Sequence, residues 1–292
     1  MYKTAMLALI AASFATAAVA QKGGKTQPGG TTNPEVGFVR ILSNGSRELR
    51  VSAEDGTGAS VLHSAGRAQM FVSMGPRPQH QIAFSEGGKV RLLTYEVTST
   101  SLKTTNIQTL VDMNTSGSQS FDFSPTGAHV AWINPRDYTI YLYNVASNQT
   151  SPLLTTQNRT GDATFTKDGE SLMFLEEVSE SDYVLKSVPI TGGSPVELGY
   201  RGNIMQVEAG RTDDRLVLVY YDHTMEMVPA GGGTRVRLPN GYAPSLRCDD
   251  RVVIFQRAYN GGVSLHKYDL QTGLTSTFSN KDLYWPDYYP DC

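Results

Sequence analysis

A hairpin motif returns along this chain at a nearly fixed spacing. Its clearest copy is Phe121–Trp132 (FDFSPTGAHVAW), in which alternating apolar residues run into a Pro-x-Gly turn before a second apolar run. This pattern predicts two antiparallel strands, because Pro125 presets φ and Gly127 can adopt the left-handed conformation that closes the turn. A second copy, Ala163–Phe174 (ATFTKDGESLMF), begins forty-two residues after the equivalent position of the first. Recurrence at such a period is typical of a repeat architecture.

The repeat extends over most of the chain. Its first-strand residue recurs in steps of 42, 42, 39 and 42, at Phe123, Phe165, Val207, Leu246 and Tyr288. Second and third strands follow each copy, and a turn rich in Gly, Ser or Thr leads to a fourth, as in Ile190–Leu198. Four strands in about forty residues are typical of a β-propeller blade. No amphipathic helical stretch of useful length interrupts them, so the chain is predicted to be all-β.

The number of blades follows from the incomplete units at the two ends. Residues 37–41, 48–51 and 59–62 supply second, third and fourth strands without a first strand before them. Residues 284–291 resemble a first strand with no blade after it. The two fragments complete each other, which predicts a six-bladed β-propeller over residues 36–292, closed by the C-terminal strand in blade one. Four aromatic residues are predicted in the core between blades: Phe123, Trp132, Phe165 and Phe174.

Residues 1–20 are predicted to be a secretory signal peptide. Lys3 precedes an apolar run that ends in the small-x-small site Ala18-Val19-Ala20, so cleavage is expected before Gln21. A membrane anchor is the alternative, but the apolar run of about fifteen residues is shorter than the about twenty that a spanning helix needs. Residues 21–35 have almost no large apolar side chain and are predicted to be a flexible leader, with a partner-docking segment as the alternative.

Charge and cysteine positions limit the possible partners and the location. Without Lys3 the chain has 24 basic and 28 acidic side chains, a net charge of −4, with no block of like charges. Nucleic acid and anionic membranes are therefore not expected as partners. No cysteine lies near the cleavage site to carry a lipid anchor. The mature protein is expected to be a periplasmic or secreted monomer without membrane insertion.

The hairpin and turn motifs resemble the WD-like propeller repeats of the TolB family. The clearest matches are FDFSPTGAHVAW from Phe121, ATFTKDGESLMF from Ala163 and VPITGGSPVEL from Val188. The resemblance covers nearly all of the mature chain, although units one, two and five are degenerate. It implies a periplasmic, six-bladed, non-catalytic scaffold that binds a protein partner over the propeller face. TolB also has an α/β domain before its propeller, for which residues 21–35 leave no room, so a stand-alone propeller is expected.

The sequence predicts no catalytic residue, no cofactor and no metal site. The neighbours Asp222 and His223 could form an acid–imidazole pair, but adjacent strand residues point to opposite faces. No Gly-x-Ser-x-Gly elbow is present, and Gly231–Gly233 is interpreted as a hairpin turn rather than a phosphate loop. The alternative is a metal-dependent or carbohydrate-active propeller enzyme such as a lyase, which would need at least three histidines converging on the channel mouth. The five histidines are His63, His80, His129, His223 and His266.

An unusually aromatic segment, Tyr284–Tyr289, closes the chain. Exposed Tyr and Trp side chains are enriched at interface hot spots, so one interpretation is a binding patch for the protein partner. The other is that these rings fill the gap where the propeller closes. The candidate binding residues are Trp285, Tyr288, Tyr289, Tyr221 and His223.

The two cysteines, Cys248 and Cys292, are predicted to form a disulfide. Secreted chains tend to pair their cysteines in oxidising compartments. The two residues also lie in equivalent first-strand turns of neighbouring blades, so both should open on the same face. Innermost strands of adjacent blades can be too far apart for a bridge, which needs Cα atoms within about 7 Å, but a chain terminus can bend towards its partner. Two unpaired thiols are the alternative.

Overall fold

The computed structural model describes residues 36–53, 56–67, 70–76, 79–98, 101–112, 120–259, 262–279 and 283–288. These residues form twenty-four strands in six four-stranded antiparallel sheets, which confirms the predicted all-β, six-bladed propeller. None of the described segments is a helix long and apolar enough to cross a membrane. The predicted signal peptide and leader, residues 1–35, lie outside the described ranges and remain predictions.

The blades are numbered in chain order, and the strands of each are given from innermost to outermost. Blade one contains β24 (Leu283–Tyr288), β1 (Val36–Ile41), β2 (Arg47–Ser52) and β3 (Ser60–Ala65). Blade two contains β4 (Val72–Met74), β5 (Gln81–Glu86), β6 (Lys89–Val97) and β7 (Leu102–Asp112). Blade three contains β8 (Phe121–Phe123), β9 (His129–Asn134), β10 (Thr139–Asn144) and β11 (Gln149–Thr155). Blade four contains β12 (Thr160–Phe165), β13 (Ser171–Ser179), β14 (Asp182–Pro189) and β15 (Val196–Gly202). Blade five contains β16 (Ile204–Ala209), β17 (Arg215–Tyr220), β18 (Met225–Pro229) and β19 (Val236–Leu238). Blade six contains β20 (Tyr242–Leu246), β21 (Val252–Tyr259), β22 (Gly262–Asp269) and β23 (Thr275–Ser279).

The innermost strands form a ring around a central channel. Each of them contacts the innermost strands of both neighbouring blades, in the order β24, β4, β8, β12, β16, β20 and back to β24. In blade one, β24 pairs antiparallel with β1, so that Val36 lies opposite Tyr288 and Arg40 opposite Leu283. Each innermost strand follows the outermost strand of the preceding blade, and all pairings within a blade are antiparallel. All six innermost strands therefore run in the same direction. We call the face where they begin the upper face and the face where they end the lower face.

The turns after the innermost strands explain the repeated motif. Gly127 has φ +71°, and its N–H donates to the carbonyl of Ser124 at 2.8 Å. Gly169 repeats this geometry in blade four, with φ +70°. This left-handed conformation is unfavourable for residues with a Cβ, which is why glycine recurs there. In blade six Asp250 occupies the equivalent position, with φ +52°.

The hydrophobic core is divided among the blade interfaces. Six buried clusters are found in the described residues, and each is formed mainly by two adjacent blades. Strand alternation distributes the side chains: on β13, Phe174 faces blade three, whereas Met173 and Leu175 face blade five. At about 1.5 to 3 kcal/mol for each buried large apolar side chain, stacking of the blades is the main stabilising contribution. The predicted core aromatics are confirmed, each at most 1% exposed: Phe123, Trp132, Phe165 and Phe174.

The structure describes one of the two cysteines. Cys248 lies in the turn between β20 and β21 on the lower face and is 9% exposed. Cys292 lies outside the described residues. The disulfide between them therefore stays a prediction.

We expect thiol titration of the denatured, unreduced protein to detect no free thiol. Two thiols per chain would contradict the disulfide. Reduction should lower the free energy of unfolding by roughly 4 kcal/mol, because in the chain-entropy model the bridge closes a loop of about forty-five residues. A Cys292→Ser variant should show the same loss without any reductant, which controls for effects of the reductant itself.

Candidate functional site

Polar side chains run around the central channel, one from each innermost strand. We call them the channel ring: Ser73, Asp122, Thr164, Gln206, Ser245 and Asp287. An innermost strand has one unpaired edge, so its buried N–H groups need acceptors from outside its own sheet. The channel ring and nearby acidic side chains supply these acceptors between blades.

Asp122 links blade three to blade four and contacts blade two. Its Oδ2 accepts hydrogen bonds from the N–H of Phe165 and from the Thr164 hydroxyl, both at 3.0 Å. Its Oδ1 accepts from the Ser73 hydroxyl at 3.3 Å. Ser73 Oγ in turn accepts from the N–H of Phe123 at 3.1 Å. A single carboxylate therefore holds groups from both adjacent blades.

The same type of bond recurs around the ring. Asp287 accepts from the N–H of Met74 at 2.6 Å and from the Ser245 hydroxyl at 2.7 Å, which ties blade one to blades two and six. Asp162 accepts from the N–H of Val207 at 3.0 Å, which ties blade four to blade five. These carboxylates satisfy buried backbone donors, so their first role is structural.

Arg211 lies beneath the channel ring, in the loop after β16. Its side chain is 4% exposed, and its Nη2 lies 3.7 Å from Asp122 Oδ1 and 3.6 Å from Glu208 Oε1. Burial opposes the charge on Arg211, but the carboxylates of Asp122, Glu208 and Asp287 outweigh this and raise its pKa. Among the described residues, its buried Nε and Nη1 atoms have no hydrogen-bond partner.

Asp250 of blade six fixes the loop that carries Arg211. Its carboxylate accepts from the N–H groups of Arg211 and Thr212, both at 2.7 Å, and from the N–H of Asp213 at 3.1 Å. The Thr212 hydroxyl donates to the same carboxylate at 2.8 Å. The unfavourable left-handed backbone of Asp250 is thus offset by four hydrogen bonds, which hold Arg211 under the channel.

Burial perturbs the pKa of three channel carboxyls. It raises the pKa of Asp162 to about 6. It also raises the pKa of Asp287 to about 6, although Arg211 opposes the rise. Burial raises the pKa of Glu208 well above its usual value, again against the opposing charge of Arg211. Ionising these groups at neutral pH therefore costs free energy in the folded protein.

Replacing Asp162 with asparagine should stabilise the protein at neutral pH. The folded state binds the Asp162 proton more tightly than the unfolded state, since burial raises the pKa from 3.8 to about 6. The stability that wild type gains from protonated Asp162 is fully present below pH 4 and is lost as the pH rises towards 6. The stability of Asp162→Asn relative to wild type should therefore increase across this window, by up to about 3 kcal/mol.

Urea unfolding of wild type and Asp162→Asn at several pH values between 3.5 and 7.5 would measure this difference. Exposed carboxyls with lowered pKa values, such as Asp168, make the free energy of unfolding rise with pH at low pH. Both proteins contain these carboxyls, so their contribution cancels in the difference between wild type and variant. A difference that does not change with pH would show that Asp162 titrates normally.

A cavity of about 100 Å³ lies in the channel. Its lining residues come from all six innermost strands and their immediate approaches, from Phe71 and Asp162 near the upper face to Glu208, the next-to-last residue of β16. The turns of the lower face do not contribute to this lining, and Arg211 lies below it. We infer that the cavity opens on the upper face. The lining combines apolar side chains with four carboxyls: Phe71, Phe121, Pro244 and Pro286, with Asp122, Asp162, Glu208 and Asp287.

Two of the predicted binding residues lie together on the upper face. Tyr221 and His223 belong to the turn between β17 and β18. The Tyr221 ring stacks on Tyr183, with centroids 6.2 Å apart and an interplanar angle of 23°. His223 is exposed and has φ +64°, and its ring centroid lies 5.5 Å from that of Tyr242.

The other predicted binding residues are in or after β24. The backbones of Trp285 and Tyr288 belong to this strand, but their side chains lie outside the described part of the chain, as does all of Tyr289. The structure therefore places Tyr221 and His223 on one surface, and the role of the closing aromatics stays a prediction.

The five histidines do not form a common site. They lie in five different blades, and His63 pairs with Glu86 at 3.4 Å while His129 contacts Asn144 at 3.2 Å. Within the described ranges, no group of three or more His, Cys, Asp or Glu side chains has the arrangement of a metal site. The structure does not show the convergence of histidines that the lyase alternative needs.

Sequence analysis did not identify the channel ring or Arg211. The sequence does contain a pattern that indicates the ring. In every repeat, the residue just before Phe123 or its equivalent is polar. Arg211 has no equivalent signal, since it lies in a loop of blade five that departs from the repeated turn.

No protein-family model matches the chain, and neither does any curated protein sequence. Solved structures do share its architecture. TolB from Acinetobacter baumannii has 14% sequence identity and a TM-score of 0.69, over 88% of this chain and 67% of that chain. A putative TolB from Agrobacterium tumefaciens has 14% identity and a TM-score of 0.60, over 88% and 98%. A chain of a nidogen/laminin complex has 12% identity and a TM-score of 0.63, over 89% and 100%.

These likenesses place the chain in the class of β-propellers. The TolB-type propeller fold that the hairpin motifs predicted is confirmed. At these low identities, the likeness extends to the fold alone.

Proposed function

We propose that this protein is a secreted or periplasmic, non-catalytic scaffold that binds a protein partner through its upper face. The observation that carries the proposal is the concentration of binding features on that face. The channel cavity opens there, and Tyr221 and His223 lie beside each other on the turn between β17 and β18. A second, open groove also lies there, between blades three and four, and is lined by Tyr138, Arg159 and residues 177–180 among others.

Several side chains of the lower face make contacts between blades. Asp250 holds the loop of blade five, and Lys167 in the turn of blade four pairs with Asp214 at 3.0 Å. Gln79 in blade two donates to the carbonyl of Thr126 in blade three at 3.3 Å. Side chains already engaged across blades are less available to a partner, which favours the upper face.

The structural neighbours support a binding role. One of them is solved as part of a nidogen/laminin complex. The resemblance to TolB also implies a periplasmic scaffold that binds protein. The enzyme alternative is disfavoured because the channel carboxyls accept hydrogen bonds from neighbouring blades and the histidines lie in separate blades.

Affinity capture tests this proposal. The chain from Gln21 onwards would be immobilised through its N-terminus and exposed to envelope and extracellular extracts. We expect capture of a specific protein that is lost in a variant combining Tyr221→Ser and His223→Asn, since asparagine tolerates the positive φ of position 223. A Lys167→Ala variant alters the lower face and should capture as wild type does.

Capture that is equal for wild type and the upper-face variant would contradict the use of this face. Recovery of no protein from any extract would contradict the scaffold role. Melting curves of both variants would first establish that they are folded.

The location and the monomeric state have their own measurements. N-terminal sequencing of protein recovered outside the cytoplasm should begin at Gln21. Light scattering on the purified protein should give the mass of one chain. Protein retained in the cytoplasm with residues 1–20 intact would overturn the secreted location.

A further inference from the structure

The groove on the upper face between blades three and four has a volume of about 580 Å³. Small-molecule sites have volumes of about 300 to 1,000 Å³ and are mostly lined by apolar side chains. This groove has a suitable size but a different lining. Among its described lining residues, only Tyr138 and Val178 have large apolar side chains. A ligand that fits such a lining is itself polar.

The polar side chains of the groove are mostly unpaired. Within the described ranges, four of them make no side-chain hydrogen bond and no ion pair: the Tyr138 hydroxyl, the Gln157 amide, the Arg159 guanidinium and the Glu180 carboxylate. Together they offer both hydrogen-bond donors and acceptors. A ligand that enters the groove can therefore bind them without first breaking contacts within the protein.

The groove contains opposite charges that do not pair with each other. Arg159 and Glu177 lie on neighbouring strands, where the Glu177 N–H donates to the Arg159 carbonyl at 2.8 Å. The Glu177 carboxylate, however, accepts from the N–H of Ser181 at 3.2 Å instead of pairing with the guanidinium. One arginine and two glutamates, Glu177 and Glu180, thus line the groove. An anionic ligand would meet the carboxylates and a cationic ligand would meet Arg159, so this lining favours a neutral ligand.

Hydrogen bonds hold the walls of the groove in place. Tyr138 has φ +57°, and its N–H donates to the carbonyl of Asn134 at 3.0 Å. The Thr156 hydroxyl lies 3.1 Å from the Tyr138 carbonyl and 2.7 Å from the Asn158 carbonyl. The amide of Asn158 donates to Glu176 at 3.4 Å. Because the backbone is already fixed, a ligand loses little binding free energy to ordering the site.

A neutral polyhydroxyl ligand matches these features. Each hydroxyl can donate one hydrogen bond and accept two, so it can bind a guanidinium or amide donor and a carboxylate acceptor at once. The ring of Tyr138 has an apolar face and a polar tip, which suits a ligand with both C–H and O–H groups. A protein hot spot would instead need a cluster of well-packed aromatic or arginine anchors, and this groove has a single aromatic residue.

We propose that this groove binds a neutral saccharide. Tyr138 contacts the C–H face of a sugar ring, while Arg159, Gln157 and Glu180 bind its hydroxyls. This inference goes beyond the proposed function, because the ligand is a carbohydrate and not a protein surface. The saccharide can be a free oligosaccharide or part of a glycan carried by the protein partner.

Isothermal titration calorimetry with three oligosaccharides tests the inference. Maltotriose, cellotriose and triacetylchitotriose are the probes, and the peptide triglycine is the control for a polar ligand without sugar rings. We expect at least one oligosaccharide to bind at least about tenfold more tightly than triglycine, since loss of one hydrogen bond to a charged group changes affinity by about that factor.

Variants locate the site. Tyr138→Asn removes the ring while tolerating the positive φ, and Arg159→Ala removes the guanidinium. Each should weaken binding of that oligosaccharide about tenfold. Arg237→Ala removes an exposed arginine of blade five, outside the groove, and should bind it as wild type does. Melting curves would first establish that all three variants are folded.

Three outcomes would overturn the inference. The first is that no oligosaccharide binds at any attainable concentration. The second is that triglycine binds as tightly as the best oligosaccharide, which would identify a peptide site. The third is that Tyr138→Asn and Arg159→Ala both bind the oligosaccharide as wild type does.

The same variants separate this inference from the proposed function. The variant combining Tyr221→Ser and His223→Asn should lose the captured protein but keep oligosaccharide binding. Saccharide binding without any captured protein would leave this inference intact and remove the scaffold role. A captured protein without saccharide binding would do the reverse.

Competition distinguishes the two sources of the saccharide. If the bound oligosaccharide releases the captured protein, the partner carries the glycan. If the protein stays bound at saturating oligosaccharide, the saccharide is a separate ligand. Both results support a saccharide site in the groove.

Discussion

A chain that ends at Asp282 should fail to fold cooperatively. It lacks β24, so β1 loses its inner neighbour, and Met74 N–H and the Ser245 hydroxyl lose the acceptor that Asp287 provides. Leu283 and Tyr284 are also removed from the buried clusters on either side of blade one. These losses exceed the roughly 5 to 15 kcal/mol by which domains of this kind are stable. Circular dichroism during heating should show no cooperative transition, and the exposed strand edge should cause aggregation.

The matched control is a chain that ends at Tyr288. It keeps β24 and removes only residues 289–292, including Cys292. This control should still melt cooperatively, with at most the loss attributed to the disulfide. A chain ending at Asp282 that melts like the control would show that β24 does not stabilise the ring.

Replacing Asp122 with alanine should destabilise the protein by about 3 to 5 kcal/mol, the range for breaking a buried charge network. The change leaves the Phe165 N–H and the Thr164 hydroxyl without their acceptor in a buried position. It also removes one of the two carboxylates within 4 Å of Arg211. Urea unfolding followed by circular dichroism would give the loss as a lower midpoint with an unchanged slope.

Two variants make the Asp122 result specific. Asp122→Asn keeps one acceptor oxygen but no charge, so it should lose less stability than the alanine variant. Asp182→Ala removes a partly exposed carboxylate that pairs with the exposed Arg201 at 2.7 Å and should change stability little. Equal effects of Asp122→Ala and Asp182→Ala would show that the bonds between blades contribute nothing measurable.

The architecture could be predicted because the sequence pattern that indicates it lies within single hairpins. Gly127 and Gly169 occupy turns that require positive φ, and the apolar alternation around them fixes which strand faces which blade. The first strand of blade two was not predicted, since β4 has only three residues. Its Met74 also lies forty-nine residues before Phe123 rather than forty-two, because β6 and β7 form an unusually long hairpin.

The channel site was less predictable because its contacts are distant in sequence. Asp122 and Phe165 are forty-three positions apart, and Met74 and Asp287 are 213 positions apart. The channel ring repeats polarity but not residue type, so an alignment on the apolar positions passes over it. Arg211 lies under the channel because Asp250 of blade six holds the loop of blade five. Such a position follows from the closed ring and not from any local pattern.

The split of blade one between β1 and β24 also sets the order of folding. During synthesis, blades two to six can form one after another, since each is made from consecutive strands. Blade one cannot, because β1 must wait about 240 residues for β24 to leave the ribosome. Pairings with so large a sequence separation form slowly. The apolar residues Val36 and Val39 on β1 therefore stay exposed longest, and a chaperone that shields a nascent chain would find its most persistent target there.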